Sequence, residues 1–336
     1  MSSKQNIPET QSAIIITEFG ELEVLHYQSD VAVPEMGDNQ VLVKIAYAGI
    51  NPVDYKTRQG LGWGAENIKK QQFANNESAI LGFDMAGEVV ASDADGFKVG
   101  DRVSALNFEG GCYAEYNVVD ASLLAKVPDA VTLKTAGAIP CVGTTALQMI
   151  DFADIKQGEH VVMSAPAGGV GHLALQLLIN KIDTLGIKLT VICSPEKYQK
   201  LEGLIDTSKL EGWIDYTKDD AFPELNADLL LDLVGGDAGK RALAVVKPAG
   251  RVVVLPSIWA EALKQAGADK QLTVEGFIAK PNAEDLEQVL QKVGSNQLNL
   301  EIEEVYALAE TAAAHQQLEK GDSFGKIVLE IYSSAV

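Results

Sequence analysis

Residues 161–178, VVMSAPAGGVGHLALQLL, constrain the fold more than any other stretch of the chain. A short apolar run (Val161, Val162, Met163) meets a glycine cluster (Gly168, Gly169, Gly171). Apolar residues then continue at helical spacing, at Val170, Leu173, Ala174, Leu177 and Leu178. This predicts a strand, a tight turn and a helix. Such a turn brings backbone close to a pyrophosphate and aims the N–H groups of the helix N-terminus at it. A strict GxGxxG is not present, and Ala165 takes the first small position. Glycines alone would mean only a tight turn. The strand before them and the amphipathic helix after them point to a dinucleotide site.

The next predicted strand ends at Val191, Ile192, Cys193 and Ser194. NAD sites usually place an acid there for the ribose hydroxyls, whereas NADP sites leave room and positive charge. Ser194 stands in the acid's place, Lys197 follows, and Tyr216 ends the next short run. A hydroxyl and a lysine suit a 2′-phosphate, so NADPH is the expected cofactor. Glu196 is the residue that would reverse this expectation, as a ribose acid.

The 336 residues suffice for two domains, and 47% apolar content implies a real core. A net charge of −20 argues against nucleic acid or an anionic membrane as partner. Cys112, Cys141 and Cys193 form no CxxC pair, so neither a disulfide framework nor a structural zinc lobe is indicated. The expected setting is reducing and cytoplasmic. The N-terminus is polar and reads as a lead-in to the first strand. No apolar run approaches the ~18–20 residues of a membrane span.

Residues 13–120 read as strand-rich, with β-type runs at 13–17, 40–48, 85–92 and 114–119. Residues 60–78, GLGWGAENIKKQQFANNES, show no clear period and read as a long surface loop. Beyond residue 128 helices and strands alternate. Helices are expected at 135–152 and 169–181. Strands are expected at 160–163, 189–193, 229–233, 251–255 and 272–278. This alternation implies a parallel sheet covered by helices. Two helices, near 283–293 and 307–319, precede a strand at 326–332 that has no helix after it. That strand needs a sheet, and the N-terminal region is the plausible host.

Several segments together resemble the zinc-independent quinone oxidoreductase branch of the medium-chain dehydrogenase/reductase superfamily. They are AGINPVDYK (48–56), LGFDMAGEV (81–89), VGDRV (99–103), GTTAL (143–147), the AGGVG turn and FGKIVL (324–329). The resemblance implies an α/β chain with two domains. One is a GroES-like, β-rich catalytic domain of residues 1–125 and 300–336. The other is a Rossmann domain with a doubly wound parallel sheet, residues 126–299, and a homodimer is implied through edge strands near 272–277. By position, Ala165, Gly168, Gly169, Val170 and Gly171 match the pyrophosphate turn, and Ser194, Lys197 and Tyr216 the 2′-phosphate contacts. Asn51 and Thr144 match residues beside or under the nicotinamide, and Gly325 and Lys326 a segment that closes over the cofactor. Zinc relatives carry Cys at Asn51 and His-Glu at Phe83-Asp84, and Cys141 falls at a third ligand position. One thiol without its partners cannot hold a tetrahedral ion, so no metal is expected.

The implied reaction is hydride transfer from NADPH to a quinone or an α,β-unsaturated carbonyl. Negative charge develops on an oxygen, which hydrogen-bond donors or solvent must then stabilise. Asn51, Tyr55 and Lys56 are the candidate donors. Tyr55 can equally be a packed tyrosine, and Lys56 can pair with Asp54. The alternatives are an enoyl-thioester reductase and an NADPH-binding module with little turnover. The four histidines, His26, His160, His172 and His315, lack triad or metal spacing and read as structural or surface residues.

Overall fold

The computed structural model describes residues 7–218 and 222–332. The chain divides into two units, 1–144 with 281–336, and 145–280. Among the described residues no helix is long and apolar enough to cross a membrane.

The first unit is built on two sheets. Strands His26–Ala32, Thr10–Ile16 and Ala79–Ile80 form the smaller one. The larger runs in the order Ile302–Ala307, Lys326–Glu330, Gln40–Ile50, Asp84–Ser92, Arg102–Leu106, Leu124–Lys126, with Tyr116–Asp120 also paired to Gln40–Ile50. The long strand Gln40–Ile50 is buried on both faces. Val41, Val43 and Ile45 join one apolar core, and Ala48 and Ile50 another. The strand at 326–330 does find its host in the N-terminal sheet. It runs antiparallel to Gln40–Ile50, with Ile327 opposite Ile50. The unit is therefore assembled from both ends of the chain.

The second unit carries a six-stranded, all-parallel sheet. Its order is Gly212–Asp215, Lys188–Cys193, His160–Ser164, Ala227–Asp232, Val246–Val254, Thr273–Gly276. This is the 3-2-1-4-5-6 order of the doubly wound fold, with its switch point between the third and fourth strands. Helix Gly169–Leu185 buries Leu173, Ala174, Leu177 and Leu178, four of the five positions that the apolar spacing picked out, and leaves Val170 half-buried. It ends at Gly186, whose φ of 62° suits a residue without a Cβ.

Two expectations need correction. Residues 60–78 are not a loop, because helix Gly62–Gln71 and a 3-10 turn Phe73–Asn75 occupy most of the stretch. The helix buries Gly64, Ala65 and Ile68, a narrow face of mostly small residues that carries little apolar signal. The helix expected at 135–152 is two helices, Leu133–Ala138 and Pro140–Phe152, because Pro140 has no N–H with which to continue the first. The two compact units divide at 144/145 and 280/281. Helix Leu133–Ala138 packs on the first unit's sheet, where the Ser104 hydroxyl donates to Ala136 O at 2.7 Å. Helix Ala283–Gly294 lies against strand Leu124–Lys126 and places Val289 over Gly143.

Gly87 shows how tightly the larger sheet is closed. A Cβ there would lie 2.0 Å from Lys44 O and 2.9 Å from Ile45 Cα. Both are main-chain atoms that cannot swing aside. Gly87→Ala should therefore lower stability by about 2–3 kcal/mol, seen as a lower denaturation midpoint in urea. An unchanged midpoint would mean that the two strands separate freely.

Candidate active site

In the second unit the cofactor candidates lie along the C-terminal ends of three adjacent parallel strands. Ser164 pairs in register with Ile192, and Cys193 with Asp215. The turn from Ala165, Ser194 and Tyr216 therefore leave neighbouring strands side by side. The turn is fixed by one contact, since a Cβ on Gly171 would sit 2.0 Å from Ala165 O. Glycine is required there for packing alone. Gly168 differs. Its φ is −75°, and a Cβ would meet nothing nearer than Ala165 O at 3.7 Å. The protein itself leaves space at Gly168 that a side chain would fill, beside the N-terminus of a 17-residue helix. A diphosphate fits that space and that dipole.

Ser194 caps helix Pro195–Glu202, accepting from Lys197 N at 3.3 Å. Glu196, the alternative ribose acid, is paired with Lys200 at 3.4 Å and is largely exposed. Tyr216 is 48% exposed. Asp232, which the sequence reading missed, ends its strand fully buried. It accepts from Ser164 Oγ at 2.9 Å, Val234 N at 3.1 Å and Gly235 N at 3.0 Å. It thereby anchors the loop at the switch point. Its one sequence signal is an acid closing the apolar run ADLLLD.

In the first unit the candidates converge on a buried polar network. Asn51 is 1% exposed and begins helix Pro52–Arg58. Its Oδ1 accepts from Lys326 Nζ at 2.6 Å, and its Nδ2 donates to Asp84 Oδ2 at 2.8 Å. A lysine can only donate and a carboxylate accepts, so the carboxamide has one orientation. Lys326 Nζ also donates to Ile50 O at 2.5 Å, and Cys141 N donates to Asp84 Oδ1 at 2.8 Å. Asp54 Oδ2 accepts from Asn51 N at 2.6 Å, while its Oδ1 has no partner. Burial pushes Asp54 up to about 8, reinforced by the charge of Asp84. Burial likewise raises Asp84 to about 7, against the pull of Lys326 and Asn51. The Lys326 ammonium is pushed down by burial. Burial thus favours the neutral, protonated form of Asp54.

Beyond Asp54 the network continues through Tyr113, whose hydroxyl lies 3.4 Å from His315 Nε2. His315 Nδ1 faces Arg58 Nη1 at 3.4 Å, and Arg58 reaches Glu319 at 2.8 Å. Arginine only donates, so His315 Nδ1 accepts and Nε2 carries the proton. Asp54, Asp84, Tyr113 and Arg58 were not singled out from sequence as site residues.

The remaining candidates are less enclosed. Tyr55 is half-buried, and burial with the charge of Glu319 raises its hydroxyl. Lys56 is half-buried and lowered by that burial. It does not pair with Asp54, and among the described residues its ammonium has no ion pair or side-chain hydrogen bond. Thr144 is fully buried with an unpartnered Oγ1. Gly325 has φ 80°, and a Cβ there would strike Glu301 O at 2.3 Å. It sets the entry of the strand that carries Lys326.

One chain thus carries a doubly wound sheet with a cradle at its switch point and a β-rich unit with a buried polar site. Residues 37–129 match the alcohol dehydrogenase GroES-like domain family, and residues 211–329 match the zinc-binding dehydrogenase family. The chain is 31% identical to a 2-methylene-furan-3-one reductase of Solanum lycopersicum, across 98% of this chain and 81% of that one. It is 30% identical to a quinone oxidoreductase of Sus scrofa, across 73% of each. A solved quinone oxidoreductase of Coxiella burnetii superposes with a TM-score of 0.85 at 32% identity, covering 96% of this chain and all of that one. The chain belongs to the medium-chain dehydrogenase/reductase superfamily and is an oxidoreductase.

The buried histidine gives this unit a pH signature. Burial, with the Arg58 cation, lowers His315 to about 3. Between about 6.5 and 3 the unfolded chain binds a proton that the folded chain does not. Stability is therefore lost as pH falls through that window, at up to about 1.4 kcal/mol per pH unit. In His315→Gln the acid limb of urea-melt stability against pH should be shallower between pH 6 and 4. An identical limb would remove His315 as its source.

Proposed function

We propose that this chain is a zinc-free, NADPH-dependent reductase of quinones or α,β-unsaturated carbonyls. The observation that carries the reading is Lys56, a half-buried ammonium on the helix that Asn51 begins and without a partner among the described residues. Hydride addition to a quinone or an enone leaves negative charge on the carbonyl oxygen. A desolvated cation with no competing carboxylate is suited to stabilise it.

The residues at the metal positions of zinc relatives do not fit the metal. Asn51 offers an amide already held by Lys326 and Asp84, Phe83 offers no donor, and Cys141 offers one thiol. A buried ammonium beside them opposes a second cation. Among the described residues no three His, Cys, Asp or Glu side chains gather as a metal ion would need.

The cradle does fit a dinucleotide. Gly168 with the helix N-terminus suits the diphosphate. Ser194 and Lys197 suit a 2′-phosphate, which also favours NADPH over NADH. When bound, NADPH supplies the hydride. The chain's own contribution is to hold the acceptor oxygen near Lys56 and to keep Asn51 in one orientation. Tyr55, with its hydroxyl pK raised, remains protonated throughout the neutral range and can donate a hydrogen bond.

An NADPH-oxidation screen over quinones, enones, enals and enoyl-thioesters tests the reading. Turnover should be highest with quinones or enones and much lower with NADH. Lys56→Met should lower kcat/KM about 10- to 100-fold. Turnover confined to enoyl-thioesters, or full activity in Lys56→Met, would defeat it. Lys197→Ala should raise the KM for NADPH about tenfold and leave that for NADH nearly constant. Equal changes for both cofactors would remove the 2′-phosphate assignment.

A further inference from the structure

We infer that Trp63 and Phe108, backed by Phe83, form a stacking platform that selects flat, ring-bearing conjugated carbonyl acceptors over short linear ones. This rests on the reading that a quinone or enone is the acceptor, and it names which kind. The three rings make one cluster. Trp63 lies 4.2 Å from Phe108 and 5.3 Å from Phe83 between centroids, and Phe83 meets Phe108 edge-on at 6.2 Å. Phe83 is buried, whereas Trp63 and Phe108 are only half-buried. Next to them Leu61 is 55% exposed. The cluster is anchored from beneath and presents ring surface outward.

Its place in the unit ties it to the chemistry. Phe83 directly precedes Asp84, the carboxylate that holds Asn51. Leu61 N bonds to Lys56 O at 2.8 Å, so the exposed apolar surface begins one turn from the unpartnered ammonium. Helix Gly62–Gln71 is pressed home by Gly64, where a Cβ would lie 2.3 Å from Thr57 Oγ1 and 3.2 Å from Phe83 Cζ. Trp63 is therefore carried on a helix with no room to shift toward Pro52–Arg58. A fixed aromatic face complements the flat ring of a conjugated carbonyl acceptor. A short enal offers the oxygen without the ring.

The test compares kcat/KM for 1,4-naphthoquinone and methyl vinyl ketone in the full chain with NADPH. In Trp63→Leu and Phe108→Leu, which keep apolar bulk but remove a ring, the ratio of the two should fall about tenfold, through KM for the naphthoquinone. Trp63→Phe should restore most of it. A ratio unchanged in both variants overturns the platform, as does an equal loss for both acceptors. If Trp63→Leu has no cooperative melt, Phe108→Leu alone decides. A second arm separates the platform from the reaction. Equilibrium dialysis of menadione with NADP+, which cannot reduce it, should show binding to the wild type that is several-fold weaker in the leucine variants. Binding of this kind without any NADPH-driven reduction would sink the proposed function and keep the platform. No wild-type binding would overturn the platform.

Discussion

The Asn51 carboxamide, held between the Lys326 ammonium and the Asp84 carboxylate, is the constraint on which the first unit depends. It joins three segments distant in sequence. Lys326 begins the C-terminal strand, Asn51 directly follows the central strand, and Asp84 opens the strand that pairs with it. A buried ammonium and a buried carboxylate are costly to desolvate unless each is hydrogen-bonded. Here the amide stands between them and satisfies both. The same arrangement explains the small residue at Gly49, where a Cβ would lie 2.8 Å from both Asp84 Oδ2 and Gly137 O. Removing the lysine would strand a carboxylate, and removing the carboxylate would release the amide. The network specifies register as much as it stabilises.

Much of the second unit was readable from sequence because its signals are local. A strand, a small-residue turn and an amphipathic helix are contiguous at 161–178, and period and glycines suffice to place them. The C-terminal strand could also be assigned a host, since an apolar strand without a helix after it must pair somewhere. The first unit's site was not readable in the same way. Asp54 and Asp84 look like ordinary strand-end or helix-start acids, and only the fold shows that both are buried around one lysine. Helix Gly62–Gln71 escaped because its buried face is mainly glycine and alanine. A helix that packs by close approach leaves little hydrophobic periodicity.

Asp232 and Gly168 show a related limit. In sequence both belong to plausible turns, but their roles differ. Gly171 is required by the protein's own backbone, whereas the space at Gly168 is left open. Motif matching treats the two glycines alike. A Cβ would strike main chain at Gly171 and meet nearly open space at Gly168, so the first glycine serves folding and the second is available to a ligand. Asp232 acts on the other side of the switch point, where three accepted hydrogen bonds hold Leu233–Gly235 in place with Ser164.

The same question of what each group is already committed to orders the candidates of the first unit. Asn51, Asp84 and Lys326 spend their hydrogen bonds on one another and define geometry. Lys56 does not, although a half-buried cation in a chain of net charge −20 has many carboxylates to choose from. Keeping it apart from them preserves its field for an oxygen that becomes negative only during reaction. A carboxylate beside it would satisfy the ammonium in the ground state and lessen its pull in the transition state.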